Sequence, residues 1–129
     1  MKLRLARKMV LLIEPDPKIF NRITEALVGV GVTLCVIVPS AAEALTKLKL
    51  ITPDLAFLND ALPDETSDVV AHWLVERNIP FAYISAGSGP RAGARLSLDL
   101  PIDPRAVIDV AGRLVGERTR QKTPRTNLV

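Results

Sequence analysis

The sequence repeats one unit, in which a short, uninterrupted apolar run is followed by residues that favour the start of a helix. Runs without polar interruption are typical of strands that are buried on both faces of a parallel sheet. Alternating strands and helices imply right-handed crossovers with helices on both faces. The sequence therefore predicts an α/β fold with a doubly wound, five-stranded parallel sheet. The predicted strands are Met9–Ile13, Val32–Val38, Leu55–Leu58, Phe81–Ile84 and a short fifth strand, Leu96–Asp99.

Helix starts follow several of these strands. Asp16 precedes Pro17, and this pair favours a helix start because the aspartate caps free amides and proline fits the first helical position. Asp103-Pro104 repeats the signal and predicts a last helix through Val115. The remaining signals are a capping box from Ser40 to Glu43, with a helix through Leu50, and a third helix capped by Thr66 or Ser67.

The connection between the fourth and fifth strands is short and rich in helix breakers. It contains Gly87, Gly89, Pro90 and Gly93, and glycine and proline both disfavour a helix interior. We therefore expect the helix at this point, the fourth of a regular alternation, to be short or missing.

Charge divides the chain into three parts. Residues 1–8 carry four bases and no acid, residues 113–129 have a net charge of +4, and the stretch between them is acidic. We predict one domain at residues 9–116, preceded by a basic N-terminal extension at 1–8 and followed by a basic flexible tail at 117–129. Such ends are usually solvated, although basic arms can also bind phosphate backbones.

Several classes of protein are disfavoured by the sequence. No apolar stretch approaches the ~18 residues that cross a bilayer, and the first residues do not resemble a secretory signal. A single cysteine, Cys35, can form neither an internal disulfide nor a site with several thiolates. We expect a cytoplasmic protein without membrane contact.

Ligands of open α/β sheets bind beyond the carboxyl ends of the strands, and here the sequence resembles a known family. The segments Leu12-Ile-Glu-Pro-Asp-Pro17, Pro53-Asp-Leu-Ala-Phe-Leu-Asn59, Pro80-Phe-Ala-Tyr-Ile-Ser85 and Leu100-Pro-Ile-Asp-Pro104 resemble the receiver domains of two-component response regulators. Within that family they are similar to stand-alone alphaproteobacterial receivers with a Pro-Phe-x-Phe-x-Thr-Gly motif. The resemblance covers Met9 to Val115 and implies a flavodoxin-like strand order, 2-1-3-4-5.

The resemblance also implies a phosphorylation site, of which only part is present. Receivers have an acidic pair after the first strand, a nucleophilic aspartate after the third, Ser or Thr after the fourth, and Lys before the proline of the fifth. In this sequence Glu14 and Ser85 match that pattern, with Asp16 nearby. The departures are Pro15 at the second acidic position, Asn59 at the nucleophile and Leu100 at the lysine.

Each departure removes a chemical capability. The amide of Asn59 cannot form the acyl phosphate that a carboxylate forms. Fewer carboxylates leave Glu14, Asn59 and the Ala61 carbonyl for Mg²⁺, so we expect its binding to be weak or absent and no other cofactor. Leu100 provides no cation for phosphoryl oxygens.

The leading hypothesis is a pseudo-receiver, a non-enzymatic module that binds a histidine kinase or another signalling protein without phosphoryl transfer. A homodimer is left open. One alternative is a phosphate shuttle or sink that uses Asp60, although strand alternation predicts that this side chain faces away from Glu14 and Ser85. The other is a nucleic-acid binder that uses the basic ends, which we do not expect.

Overall fold

The sheet has five parallel strands. The computed structural model describes residues 5–64, 67–86 and 96–127, with side chains described up to residue 116. The strand order is β2-β1-β3-β4-β5, with every neighbouring pair parallel. This confirms the predicted doubly wound sheet and its order. The strands are β1 (Met9–Ile13), β2 (Leu34–Val38), β3 (Leu55–Asn59), β4 (Phe81–Ser85) and β5 (Leu96–Asp99).

The described residues form four helices between and after these strands: α1 (Pro17–Gly29), α2 (Ala41–Leu48), α3 (Ser67–Glu76) and α4 (Pro104–Asn127). The first helix begins as predicted, because the Asp16 carboxylate accepts a hydrogen bond from the Lys18 amide at 2.9 Å. The predicted short or missing helix between β4 and β5 falls on residues 87–95. These lie outside the described residues, so that part stays a prediction.

Two of the other three predicted helix starts also hold, while the cap at Thr66 or Ser67 borders residues outside the described ones and stays a prediction. The Ser40 hydroxyl accepts a hydrogen bond from the Glu43 amide at 3.2 Å, and the Asp103 carboxylate accepts one from the Arg105 amide at 3.0 Å. These side chains satisfy amides that have no partner within the helix.

Alternating side chains of the strands fill two hydrophobic layers. In β1, Val10 and Leu12 belong to the layer beneath α1 and α4, while Leu11 and Ile13 belong to the layer beneath α2 and α3. All four are fully buried. The central strands are thus fixed on both faces, and this fixes the positions of the polar residues that follow them.

Both ends of the chain depart from the predicted boundaries. The last helix runs to Asn127 instead of ending at Val115, because the sequence beyond Val115 is rich in Glu, Arg, Gln and Lys, which are good helix formers. Within the predicted basic extension, Leu5 is fully buried in the core beneath α1 and α4. Ala6 lies close to Gly31, where a Cβ would be 3.6 Å from the Ala6 Cβ. A boundary after residue 8 therefore separates Leu5 from the core to which it belongs.

No helix in residues 5–64, 67–86 and 96–127 is long and apolar enough to cross a membrane.

Candidate functional site: a buried carboxylate and amide at the strand ends

The parallel register brings the ends of four strands to one edge of the sheet. Ile13 of β1 lies beside Leu58 of β3, and Ser85 of β4 lies beside Asp99 of β5. This edge therefore collects the residues predicted from sequence: Glu14, Pro15, Asp16, Asn59, Asp60, Ser85 and Leu100.

A buried hydrogen-bonded pair forms the centre of this edge. Glu14 is 0% exposed, and its Oε1 accepts a hydrogen bond from Asn59 Nδ2 at 2.7 Å. Its Oε2 accepts one from the Asp16 amide at 3.0 Å. Asn59 Oδ1 accepts a hydrogen bond from the Ala61 amide at 2.7 Å. Since the Ala61 N–H requires an acceptor, the Asn59 amide must present its NH₂ group to Glu14.

Burial dominates the electrostatics of Glu14. It raises the pKa of the carboxyl above its ordinary value of 4.5, while the hydrogen bonds from Asn59 and from the Asp16 amide lower it by less. The charges of Asp16 and Asp60 add smaller increases. The two donated hydrogen bonds therefore only partly offset the loss of hydration of the charged carboxylate.

This raised pKa predicts a pH dependence of stability. Because the native state binds the Glu14 proton more tightly than the unfolded state does, the contribution of Glu14 is greatest below about pH 4.5 and is lost as pH rises through the folded-state pKa. We expect the free energy of unfolding of wild type to fall, relative to that of Glu14→Gln, between acid and neutral pH. Urea unfolding followed by circular dichroism at several pH values measures this difference.

Glu25→Gln is the matched control for that titration, because Glu25 is exposed on α1. It makes the same chemical change at a position where the carboxyl is not buried. Two results would contradict the expectation for Glu14: a difference in the free energy of unfolding between wild type and Glu14→Gln that stays constant with pH, or one that shifts in favour of wild type as pH rises. Either result would mean that burial is not the dominant influence on the pKa of Glu14.

The residues on the β5 side of this edge pack against the core. Ser85 is 2% exposed, and its carbonyl accepts a hydrogen bond from the Leu100 amide at 3.0 Å. The Leu100 side chain is half-buried and packs against the core beneath α1 and α4. The side chain after β5 is therefore part of the hydrophobic layer.

Comparison with solved structures identifies the fold. The chain superposes on the response regulator PhyR from Brucella abortus with a TM-score of 0.84 at 19% identity, over 99% of this chain and 57% of that one. The fold is that of a response-regulator receiver domain. SdrG from Sphingomonas melonis matches with a TM-score of 0.71 at 26% identity, over 84% and 96% of the two chains. An anti-anti-sigma factor, PhyR from Bartonella quintana, matches with a TM-score of 0.78 at 20% identity, over 92% and 53%.

The sequence matches no protein-family model and no curated protein sequence. The receiver fold is therefore established by structural likeness.

The second acidic residue near Glu14 in this receiver domain, Asp16, caps a helix. The Asp16 carboxylate is exposed and caps α1 through the Lys18 amide. Pro15, which lies between these two acids, has a side chain without oxygen. In this structure the Asp16 carboxylate thus serves as a helix cap, and the reduced acidic pair inferred from the resemblance stays a prediction.

Asp60, the alternative phosphate acceptor, lies half-buried beyond the end of β3. Its amide donates a hydrogen bond to the Ile84 carbonyl at 3.1 Å. Its charge contributes to the raised pKa of Glu14, so it lies within electrostatic range of that carboxylate. The expectation that its side chain faces away from Glu14 and Ser85 stays a prediction.

Sequence analysis missed the role of Asp64. Its two carboxylate oxygens accept hydrogen bonds from the Ala41 and Ala42 amides, each at 3.0 Å. Asp64 thus adds a second cap to α2, whose start the sequence assigned to Ser40 alone. The separation of 23 positions between Ala41 and Asp64 explains the omission, since no local motif relates residues so far apart.

The oxygens at this edge already accept hydrogen bonds from the chain, both on Glu14 and at Asn59 Oδ1. Among the residues that the structure describes, no three His, Cys, Asp or Glu side chains are grouped to hold a metal ion. Mg²⁺ prefers an octahedral set of oxygens that includes carboxylates, so weak or absent binding of Mg²⁺ at Glu14, Asn59 and Ala61 stays a prediction.

Proposed function

We propose that this chain is a receiver-like module of signal transduction that binds a partner protein without being phosphorylated. The observation that carries the proposal is the 2.7 Å hydrogen bond from Asn59 Nδ2 to Glu14 Oε1. The amide N–H satisfies the buried carboxylate by a hydrogen bond from within the chain. A carboxylate nucleophile at position 59 would have no such hydrogen to donate.

The neighbouring residues support the same conclusion. Phosphoryl transfer to a receiver needs a carboxylate nucleophile, a metal ion to neutralise charge and a cation near the phosphoryl oxygens. Asn59, Pro15 and Leu100 each stand where one of these functions is expected. Because Leu100 is packed into the core layer, its replacement by lysine requires repacking as well as a new charge.

A receiver fold without phosphoryl transfer still presents folded surfaces for docking. The Bartonella quintana neighbour is named an anti-anti-sigma factor, a role that implies acting through another protein. By analogy, the partner proposed here is a histidine kinase or another signalling protein. On this proposal, the chain itself catalyses no reaction.

Two alternatives predict different observations. A phosphate shuttle or sink would carry an acyl phosphate on Asp60, which is half-buried and lies within electrostatic range of the buried Glu14 carboxylate. A nucleic-acid binder would use the basic ends, with an affinity that falls steeply with salt.

The test is intact-mass spectrometry of wild type and of Asp60→Asn after incubation with acetyl phosphate and Mg²⁺, beside a receiver with the complete set of acids. We expect that only that receiver gains a phosphoryl group. A phosphoryl group on wild type that is absent from Asp60→Asn would replace the proposal by the shuttle. Partner binding is tested by affinity capture from the native cell. Wild type should retain the same partner proteins with and without the phosphodonor.

A further inference from the structure

The outer edge of the sheet at β2 is apolar and open. Strand β2 pairs with β1 on one side, and no described residue pairs with its other side. Its sequence, Leu34-Cys-Val-Ile-Val38, contains no charged residue, and Leu34 and Ile37 are 47% and 37% exposed. Edge strands usually carry charge, proline or a bulge, because an unprotected edge pairs with other strands. The opposite edge strand, β5, has the exposed Asp99.

The backbone direction of β2 follows from one hydrogen bond. The Val38 carbonyl accepts from the Glu14 amide at 3.0 Å, so Val38 directs its backbone groups towards β1. Since successive residues of a strand direct these groups to opposite sides, Cys35 and Ile37 direct their N–H and C=O groups outwards. The open edge therefore offers two donors and two acceptors.

We infer that two copies of this chain associate through antiparallel pairing of β2 about a twofold axis at Val36. Cys35 of one copy then exchanges two backbone hydrogen bonds with Ile37 of the other, and Ile37 does the same with Cys35. The two sheets become one continuous ten-stranded sheet. This inference does not depend on the proposed function.

The symmetry of the edge argues for a second copy as the occupant. Cys35 and Ile37 are placed symmetrically about Val36, so a twofold axis matches each outward donor with an acceptor. The same axis places Leu34 opposite Val38 and Ile37 opposite Cys35, which are apolar pairs. Because the strand is uncharged, no like charges oppose each other across the axis, and such opposition would be destabilising.

Cross-linking tests the register. Residues that face each other in a non-hydrogen-bonded antiparallel pair have Cα atoms about 4.5 Å apart, within the range that a disulfide spans. In the full-length chain with Cys35→Ser, the further change Val36→Cys should give a disulfide-linked dimer under mild oxidation. The matched control is Ile37→Cys in the same background. Its cysteines lie two strand positions apart across the axis, and they should cross-link far more slowly.

A lysine introduced at the open edge of β2 tests the association. The substituted position is exposed, so the change need not unfold the chain. Ile37→Lys should raise the dimer dissociation constant by at least about tenfold, because a lysine there must be desolvated on pairing. Val75→Lys is the control, since Val75 is 49% exposed on α3, away from β2. Sedimentation equilibrium measures the constants, and circular dichroism checks that the variants fold.

A concentration-dependent dimer that is weakened by Ile37→Lys alone and trapped by Val36→Cys supports the inference. Wild type that remains monomeric at millimolar concentration overturns it. So does a dimer that is indifferent to Ile37→Lys, because its interface must then lie elsewhere.

Discussion

Asn59→Asp is expected to gain no phosphoryl group from acetyl phosphate and Mg²⁺, although it restores a carboxylate at the position of the receiver nucleophile. The new carboxylate oxygen would lie where Asn59 Nδ2 now lies, 2.7 Å from Glu14 Oε1. Two buried carboxylates at that distance repel, and one of them takes up a proton. A protonated acid is a poor nucleophile, and Pro15 supplies no oxygen to a metal ion that could relieve the repulsion.

Leu100 adds a separate barrier to phosphorylation. One preorganised electrostatic contact to a transition state is typically worth about 3 kcal/mol, or roughly a hundredfold in rate. The half-buried, apolar side chain of Leu100 offers no such contact to a phosphoryl oxygen. The smallest set of changes that we expect to restore labelling is Pro15→Asp, Asn59→Asp and Leu100→Lys together.

Phosphate incorporation is measured by intact mass or by a radiolabelled donor, with an intact receiver alongside. The Ser85→Ala form of the triple variant serves as a control that lacks the hydroxyl after β4. If Asn59→Asp alone were labelled at the rate of the intact receiver, Pro15 and Leu100 would not be the obstacles described here. The case for a pseudo-receiver would then rest on Asn59 alone.

The second large effect is a coupling between Glu14 and Asn59. Asn59→Asp places two carboxylates in contact, while Glu14→Gln turns an NH₂ group towards the Asn59 NH₂ or towards the Asp16 amide. An unsatisfied buried donor costs about 1–3 kcal/mol. Each single variant should therefore lose about 1–3 kcal/mol of stability at neutral pH.

The double variant Glu14→Gln/Asn59→Asp should recover most of that loss. The new amide at position 14 would accept from the Asp16 amide and donate to the new carboxylate at position 59, which would still accept from the Ala61 amide. Donor and acceptor are exchanged, and a single negative charge remains. We expect a favourable coupling energy of about 2–3 kcal/mol in a double-mutant cycle, measured by urea unfolding at pH 7.

The matched control makes the same two chemical changes on the surface. Asn21 and Glu25 are both exposed on α1, four residues apart, so Asn21→Asp and Glu25→Gln should couple by no more than about 0.5 kcal/mol. A buried pair that behaved as additively as this surface pair would mean that the Glu14 to Asn59 hydrogen bond does not form in solution.

Local chemistry explains how much of the fold could be predicted from sequence. Asp16-Pro17 and Ser40 cap helices as expected, since such caps depend on residues adjacent in sequence. Unbroken apolar runs predicted the strands, and the resemblance to receivers supplied the order that the structure confirms. The end of α4 was misplaced, because the apolar periodicity of the sequence stops near Val115 while the helix continues through residues of good helix propensity.

The candidate site was predicted as a set of positions but not as a network. Sequence placed Glu14 and Asn59 at adjacent strand ends, yet the direction of their hydrogen bond depends on the Ala61 amide and so on the path of the loop. Asp64 was overlooked because its partners belong to another helix. Contacts between distant segments are settled by tertiary packing, which local patterns do not encode.

Residues 60–64, which follow β3, are held by hydrogen bonds at two points. The Ala61 amide donates to Asn59 Oδ1, and the Asp64 carboxylate accepts from the Ala41 amide at the start of α2. In ordinary receivers the chemistry at the strand ends can be used to change the surface nearby, but a loop already fastened at two points has less freedom to change. A protein that recognises residues 60–64 would meet an ordered surface and would lose little conformational entropy of the loop on binding. If the chain acts without phosphorylation, as proposed, binding of such a partner would not change with the chemical state of the protein, and control would come from how much of the protein is present.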